Sequence, residues 1–393
     1  MAEPLAVHGF VAPGWEAVAD AFRRNFEKSE ECGAACCVYL HGEAVVDIHG
    51  GVRDPATGAP WEADTPGLVF SATKGITAIA LHLLIERGQL DPEAKVAHYW
   101  PEFAAADKQD IPVAWLLSHR AGIPLIDAEL TLEEALAGDR VIEAIAAQRP
   151  IWEPGTQHGY HVRTYGWAAG ELVRRISARR FGRFLADEIT TPLGAEFFVG
   201  LPEEAEQRAF RLIPPPEPED ERTRAMMAKI LGPDTLLGRA LHGPSNLFHY
   251  DEMWNTRALH AAEMPSSNGM ATARGMAKIY AATIGEVDGI RLLAPETVRA
   301  ACRVRSDGRD HVLRVPSRFG LGFARPPFLC AQAGDQAFGH PGAGGSLGMA
   351  DPEPGLALAY VMNRMSPGVT GDPRAARLVK AAYAAAGADG RRR

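Results

Sequence analysis

The chain reads as an α/β protein: an antiparallel sheet flanked by helices, carrying an inserted, mainly helical domain. Three observations predict this class. Strand-like runs and helical repeats occupy both ends of the chain. The span from about Val113 to Leu185 has a mostly helical pattern. Residues 201–265 lose any clear period. The organisation expected is a discontinuous α/β domain over 1–100 and 266–393, and a mainly helical domain over 101–265 with a lid-like insertion at 201–265. A cleft between the two is the default place for a site. At 393 residues and 46% hydrophobic content, the chain can bury a large core without covalent staples.

Each element has a local justification. Trp15, Val18, Phe22 and Phe26 recur at helical spacing after Pro13-Gly14 and mark an amphipathic helix. Ala34 to Leu40 and Ala44 to Ile48 are β-rich runs separated by His41-Gly42-Glu43, the pattern of an antiparallel hairpin. Gly50-Gly51 and Asp54-Pro55 are expected to break the sheet. A strongly amphipathic helix is predicted from Ser71. It buries Ile76, Ile79, Ala80, Leu83 and Leu84 and stops at Arg87-Gly88, with Pro92 beyond. Gly122 and Pro154-Gly155 interrupt the helical middle. Within 201–265, Pro214 to Glu221 is a rigid acidic stretch and Leu247-Phe248-His249-Tyr250 is aromatic without a period; together they read as a lid or wall over a pocket. Later, Met276, Ile279 and Tyr280 share a helical face. Arg318 to Phe323, Ala337 to His340 and Leu356 to Met362 read as strands, and Asp351 to Gly355 as a turn. Asp372 caps, and Pro373 opens, a final helix through Leu378, Val379 and Tyr383.

Composition excludes several function classes. A formal charge of −8, with Arg391-Arg392-Arg393 as the one basic cluster, argues against a nucleic-acid partner. Met1-Ala2-Glu3-Pro4 lacks the basic start and apolar core of a signal peptide. The longest apolar stretch, Ile76 to Ile85, is interrupted by Thr77 and His82 and is too short to span a bilayer. Five cysteines, odd in number and without metal-ligand spacing, suggest reduced thiols. The expectation is a soluble, cytoplasmic protein with no membrane partner and no cofactor. His158 and His161 share helical spacing but have no third ligand nearby, so no metal site is expected. Nothing in the sequence sets an oligomeric state.

The chemistry-bearing feature is Ser71-Ala72-Thr73-Lys74. Helical residues three apart stack on one face, so this spacing sets an amine beside a hydroxyl. A serine hydroxyl becomes an effective nucleophile when a neighbouring base takes its proton. Ser71 opens its helix, so its N–H is among the first-turn donors without a helical partner and can face a developing oxyanion. Pro154-Gly155 fixes a turn from which Tyr160 emerges; a nearby cationic lysine would ease loss of its phenolic proton. In Phe338-Gly339-His340-Pro341-Gly342-Ala343-Gly344-Gly345-Ser346 a strand ends in an imidazole and a glycine-rich turn, and the Ala343 N–H is a candidate second oxyanion donor. Gly344-Gly345-Ser346-Leu347-Gly348 also matches a nucleophile elbow, but no histidine follows Ser346 and a turn, not a helix, comes next.

In order and content, Ser71-x-x-Lys74, Tyr160 and His340-x-Gly342 resemble the serine β-lactamase and penicillin-binding-protein superfamily, and most of all the class C β-lactamase-like branch that includes the family VIII carboxylesterases. Leu116 to Pro124 is similar to the family's Leu-Leu-[ST]-His-x-[ST]-Gly-[LI]-Pro segment, with Ala121 in place of a hydroxyl residue. Ser267-Asn268-Gly269-Met270 also matches. The resemblance implies a β-lactamase/transpeptidase-like fold. It implies Ser71 as the acylated nucleophile, Lys74 as its activating neighbour, Tyr160 as general base and acid, and the N–H groups of Ser71 and Ala343 as the oxyanion hole. Two departures bear on substrate. His340 stands where a lysine is usual, and Val162 stands where an amide usually follows the tyrosine by two residues. Both shift the site from anionic lactams and D-alanyl peptides towards neutral small-molecule esters. The function implied is a carboxylesterase acting on short acyl esters, with a β-lactamase, a D-alanyl-D-alanine peptidase or an acyltransferase as the alternatives. His340, Gly342, Val162, Phe248 and Tyr250 are the candidate substrate-binding residues.

Overall fold

A computed structural model describes residues 6–389 except 219 and 369. Met1 to Pro4 and the Arg391 to Arg393 cluster lie outside the described residues. The main sheet has strands β1 (Val7–Val11), β2 (Gly33–Leu40), β3 (Glu43–Asp54), β4 (Phe338–Pro341), β5 (Leu347–Asp351) and β6 (Leu356–Met362). Their order is β1-β3-β2-β6-β5-β4, with every neighbouring pair antiparallel. The two ends of the chain meet where β2 pairs with β6, from Leu40 opposite Leu356 to Ala34 opposite Met362.

Every residue of β2 and β6 is buried, because helices cover both faces. Strand alternation sorts their side chains. Ala34, Cys36, Val38, Leu358 and Tyr360 face a core shared with Val18 and Phe22 of α1 (Glu16–Ser29) and with Leu378 and Val379 of the terminal helix, Pro373–Asp389. Ala35, Cys37, Ala357 and Ala359 face the opposite core. There they meet Ile76 and Ile79 of α2 (Thr73–Glu86) and Met276 and Tyr280 of the helix Ala273–Ile284. Small residues on that face let the helix approach: a Cβ on Gly348 would stand 2.6 Å from the Tyr280 ring.

Four local readings are corrected. Gly50-Gly51 does not break the sheet, since β3 runs through both to Asp54. Gly51 has φ +79°, and a Cβ there would lie 2.1 Å from the Cys32 carbonyl oxygen, so these glycines serve close backbone approach. β1 and β5 were not anticipated; the latter is hidden in the glycine-rich run. The strand expected at Arg318 to Phe323 is Pro316–Phe319, paired with Ser306–Arg309. Finally, α2 is buried all round from Thr73 to Leu84, not amphipathic, because it threads between the sheet and the helix Thr164–Ser177, here α3.

Between residues 96 and 261 most elements are helices. The exception is Phe197–Phe198, which pairs with Met270–Ala271, itself paired with Gly67–Leu68. In 201–265, Leu241, Phe248 and Trp254 pack inward, whereas the helix Glu221–Leu231 buries no residue and leaves Met226 61% exposed. Among the described residues no helix is long and apolar enough to cross a membrane.

Candidate active site

Ser71 is delivered by an unusual backbone. Phe70 has φ +44°, a costly conformation for an aromatic residue, held by its ring packing edge-on against Tyr250 and Trp254 at 5.3 and 5.1 Å. A single 3-10 turn, Phe70–Ala72, then presents Ser71 half-buried before α2 begins. One turn on, Lys74 is fully buried. Its Nζ lies 3.3 Å from Ser71 Oγ, 2.6 Å from the Val162 carbonyl and 3.1 Å from the Ser266 carbonyl. Burial, reinforced by the Arg163 guanidinium, pushes the amine well below the usual lysine range. A neutral amine has two N–H bonds and one lone pair. The two carbonyls can only accept, so they take the N–H bonds and the lone pair is left for the Ser71 hydroxyl.

Tyr160 meets this pair. Its phenol opens onto the same cavity as Ser71 and lies 3.4 Å from His340 Nε2, and Lys74 Nζ sits 4.8 Å above its ring centroid. The ring is stacked on Phe319 at 5.9 Å and meets His119 edge-on at 5.0 Å. Its backbone N–H donates to buried Asp310 at 3.1 Å, and the same carboxylate accepts from Val312, Leu313 and Ser317. His119, within the Leu116 to Pro124 segment, accepts the Gly159 N–H on its carbonyl and the His161 N–H on Nδ1. That segment therefore carries Tyr160 rather than touching substrate. Burial raises the phenol's pKa above its ordinary value, partly offset by Ser71. Proton loss eased by a cationic Lys74 is thus not the resting condition: Tyr160 rests as a phenol beside an amine driven towards neutrality.

His340 Nδ1 lies 2.7 Å from the Pro341 carbonyl, which can only accept. Nδ1 therefore carries the proton, and Nε2 accepts from Tyr160. Burial and Lys74 lower the imidazole to about 3, so it is neutral at ordinary pH. Ala343 opens a single turn, Ala343–Gly345, and shares a small cavity with Ser71. The Ser71 N–H sits in the first turn of its helix, without a partner inside it, whereas the Ala343 N–H opens a tight glycine turn in which Gly344 has φ +81°. Gly342 is a close-packing position. A Cβ there would lie 2.1 Å from Ser346 Oγ and 2.2 Å from the Val69 carbonyl oxygen, so its hydrogen lets the turn press on the chain leading into Ser71. Ser346 Oγ donates to Val69 O at 2.8 Å, a structural tie.

The cavity is about 20 Å3, room for about one water. Ser71, Tyr160, Val162, Leu241, Tyr250, Leu313, Phe328, His340, Pro341 and Ala343 line it. Val162 also holds Lys74 through its carbonyl. Phe248 is corrected: it is fully buried behind the wall, with the Arg163 guanidinium 4.6 Å from its ring. Sequence reasoning missed Leu241, Leu313 and Phe328, which come from stretches without a motif. It also missed the Ser266 carbonyl, although the adjacent Ser267 to Met270 match was a pointer: Gly269 N–H donates to Thr73 Oγ1 at 2.9 Å, and Asn268 bridges to the Leu259 and Ala262 carbonyls. A roomier hollow of about 300 Å3 lies beyond the glycine turn, against Asp372 and Pro373, and contains neither Ser71 nor Tyr160.

Comparison with known proteins bears on the family and the fold. The beta-lactamase family profile matches residues 18–383. Esterase/beta-lactamase LipL of Mycobacterium tuberculosis (strain ATCC 25618 / H37Rv) is 35% identical over 373 residues, covering 91% of this chain and 83% of LipL. A family VIII carboxylesterase structure superposes with a TM-score of 0.87 at 35% identity, covering 97% of this chain and 100% of the other. A penicillin-binding protein homologue from Caulobacter crescentus gives 0.86 at 34% identity, covering 97% and 100%. The β-lactamase/transpeptidase-like fold expected from the motifs is the fold of these neighbours. The chain belongs to the beta-lactamase family.

Proposed function

We propose that this protein is a serine carboxylesterase that cleaves short-chain acyl esters through an acyl-Ser71 intermediate. The observation that carries the reading is the Lys74 amine, locked by two carbonyls with its third direction on Ser71 Oγ. Ser71 Oγ attacks the ester carbonyl as its proton passes to Lys74. The negative charge forming on the carbonyl oxygen falls between the N–H groups of Ser71 and Ala343. Lys74 is now an ammonium close to the Tyr160 ring, so it favours proton loss from the phenol at this moment. Tyr160 hands its proton to the departing alkoxide and recovers one from Lys74. Water then attacks the acyl-Ser71 ester with the same groups in reverse, releasing the acid and restoring the serine.

Esters are favoured over lactams by the wall. His340 is neutral, Val162 offers no amide, and the other wall residues Leu241, Tyr250, Leu313, Phe328 and Pro341 carry no cation to pair with a lactam carboxylate. So tight a wall disfavours long acyl chains. The esterase named in LipL and in the superposed carboxylesterase supports the same chemistry. The penicillin-binding protein homologue keeps a lactamase or D-alanyl peptidase as the second reading. In this reading, residues 201–265 of the helical part 101–265 act as the lid: Leu241 and Tyr250 come from it, whereas 1–100 and 266–393 supply Ser71 and the glycine turn. Five free thiols, two of them adjacent in β2, support a cytoplasmic setting. Turnover of p-nitrophenyl acetate beside nitrocefin, in the wild type and Ser71→Ala, tests the reading. Ester turnover exceeding lactam turnover and vanishing in the variant is expected; lactam turnover exceeding ester turnover reverses the ranking.

A further inference from the structure

Behind the turn that carries Ala343 lies a buried ion cluster that the mechanism above leaves unused. Arg374, in the first turn of the terminal helix, has a side chain only 3% exposed. Its Nη2 donates to the Gly344 carbonyl at 2.5 Å and to Asp372 Oδ2 at 2.9 Å. Its Nη1 donates to Glu31 Oε2 at 3.0 Å and to the Arg364 carbonyl at 2.9 Å, and Nε to Asp372 Oδ1 at 3.1 Å. Glu31, fully buried, also accepts the Tyr360 hydroxyl from β6, and Asp372 accepts Ser366 Oγ at 2.7 Å. The cluster thus ties the segment before β2, the sheet and the terminal helix to one carbonyl of the glycine turn.

That turn needs outside support. Gly342, Gly344 and Gly345 flank Ala343, and Gly344 and Gly345 have φ of +81° and +128°. Glycines have wide backbone freedom, so the sequence of the turn does not by itself aim the Ala343 N–H. The turn is pressed onto the cluster: a Cβ on Gly345 would lie 2.6 Å from Arg374 Nη2 and 2.6 Å from Asp372 Oδ2. Gly344 is further fixed by the Gly368 carbonyl on its N–H at 3.1 Å and by the Ser366 N–H on its carbonyl at 3.0 Å. A guanidinium fork is planar and spreads its donors at fixed angles, so it can set the plane of the Gly344–Gly345 peptide it holds; the N–H of that peptide donates to the Gly342 carbonyl at 3.2 Å, in the same peptide as the Ala343 N–H. A buried ion cluster is weak evidence of stabilisation, because desolvation offsets much of the attraction; fixing one geometry is the use that suits it.

We propose that Arg374, clamped by Glu31 and Asp372, is a positioning residue for acyl transfer: by holding the Gly344 carbonyl it aims the Ala343 N–H at the oxyanion. This rests on the assignment of Ser71 and Ala343 above. Loss of one oxyanion donor costs about 100- to 1,000-fold in turnover, and a misaimed donor costs part of that. Arg374→Met is therefore expected to lower kcat for p-nitrophenyl acetate by about 10- to 100-fold with KM little changed. The limiting rate of Ser71 phosphonylation by a fluorophosphonate falls in parallel. Arg374→Lys keeps the charge but not the fork, so it restores little of the rate, and Glu31→Gln loses several-fold. The kcat-against-KM split and the parallel fall in Ser71 phosphonylation in a folded variant are what a merely structural role would not produce. If Arg374→Met fails to fold, Glu31→Gln and Asp372→Asn, judged by cooperative melting, give the same readouts. Folded variants that label Ser71 at the wild-type rate overturn the positioning role and leave the serine-hydrolase reading intact. A wild-type protein that is never labelled at Ser71 overturns both.

Discussion

Tyr160→Phe removes one oxygen and separates the roles of the three groups at Ser71. The ring contacts survive: stacking on Phe319 at 5.9 Å and the edge contact with His119 at 5.0 Å need no hydroxyl. The structural loss is one long hydrogen bond, 3.4 Å to His340 Nε2. Leaving that buried acceptor unpaired costs about 1 kcal/mol, and the cost is offset by no longer burying a hydroxyl. The variant should therefore melt close to the wild type. Its chemistry should not survive so well. Proton transfer by a positioned side chain contributes about 100- to 10,000-fold, or about 3–5 kcal/mol of barrier at about 1.4 kcal/mol per decade. Because the phenol is assigned to the departing alkoxide, the deficit must depend on the leaving group. p-Nitrophenyl acetate releases a stable phenolate and needs little help; ethyl acetate releases a strongly basic alkoxide and needs much. Acetate release from both substrates, measured in both proteins, should show the larger loss for the ethyl ester. An equal loss for the two, or none for either, would refute the assignment of proton donation to Tyr160.

Other consequences can be checked alongside it. Lys74→Met should lose about 1,000-fold or more in turnover, as the removal of a catalytic base does. In the wild type, kcat/KM should rise with pH as Lys74 sheds its proton, through a limb well below its ordinary 10.5; a limb that survives Lys74→Met belongs to another group. Ser346→Ala should lose about 1 kcal/mol of stability with the Val69 tie and keep most activity, and an inactive but folded variant would contradict its structural role. His82 and His161 are lowered to about 4 and His340 to about 3, from 6.5, by burial. Folded they stay neutral while the unfolded chain takes up protons, so their contribution is fully present above about 6.5 and is lost progressively as pH falls from there to about 4 for His82 and His161 and to about 3 for His340. Urea titrations at about pH 7 and about pH 4.5 should differ by roughly 2–3 kcal/mol per imidazole; a flat profile between them would exclude these neutral histidines.

The elements that were legible in the sequence are those with local signals. Trp15 to Phe26 show helical periodicity, Arg87-Gly88 marks the end of α2, and Asp372-Pro373 opens the terminal helix; each needs only neighbouring residues to be recognised. Gly50-Gly51 misled because a glycine pair looks the same whether it ends a strand or admits a crossing backbone. The full burial of α2 was equally invisible: Thr77 and His82 look polar, yet Thr77 finds the Pro265 carbonyl and His82 the Leu321 carbonyl. At the site, Ser71, Lys74 and Tyr160 were readable from spacing and order, and the structure brings them together. The groups that orient Lys74 were not readable, since they are backbone carbonyls of Val162 and Ser266, which any side chain offers. Phe248 attracts notice as an aromatic residue in an aperiodic stretch, whereas nothing marks Leu241; the full burial of Phe248 and the packing of Arg163 over its ring show that it faces inward.

The claim on which the mechanism depends is that Ser71 carries the acyl group between the two half-reactions. Intact-mass spectrometry after rapid acid quench with a panel of p-nitrophenyl esters measures this directly. The account predicts a mass gain equal to each acyl group, localised by peptide mapping to the segment containing Ser71 and absent in Ser71→Ala. Ester turnover with no adduct at Ser71, or an adduct that persists in Ser71→Ala, would contradict it.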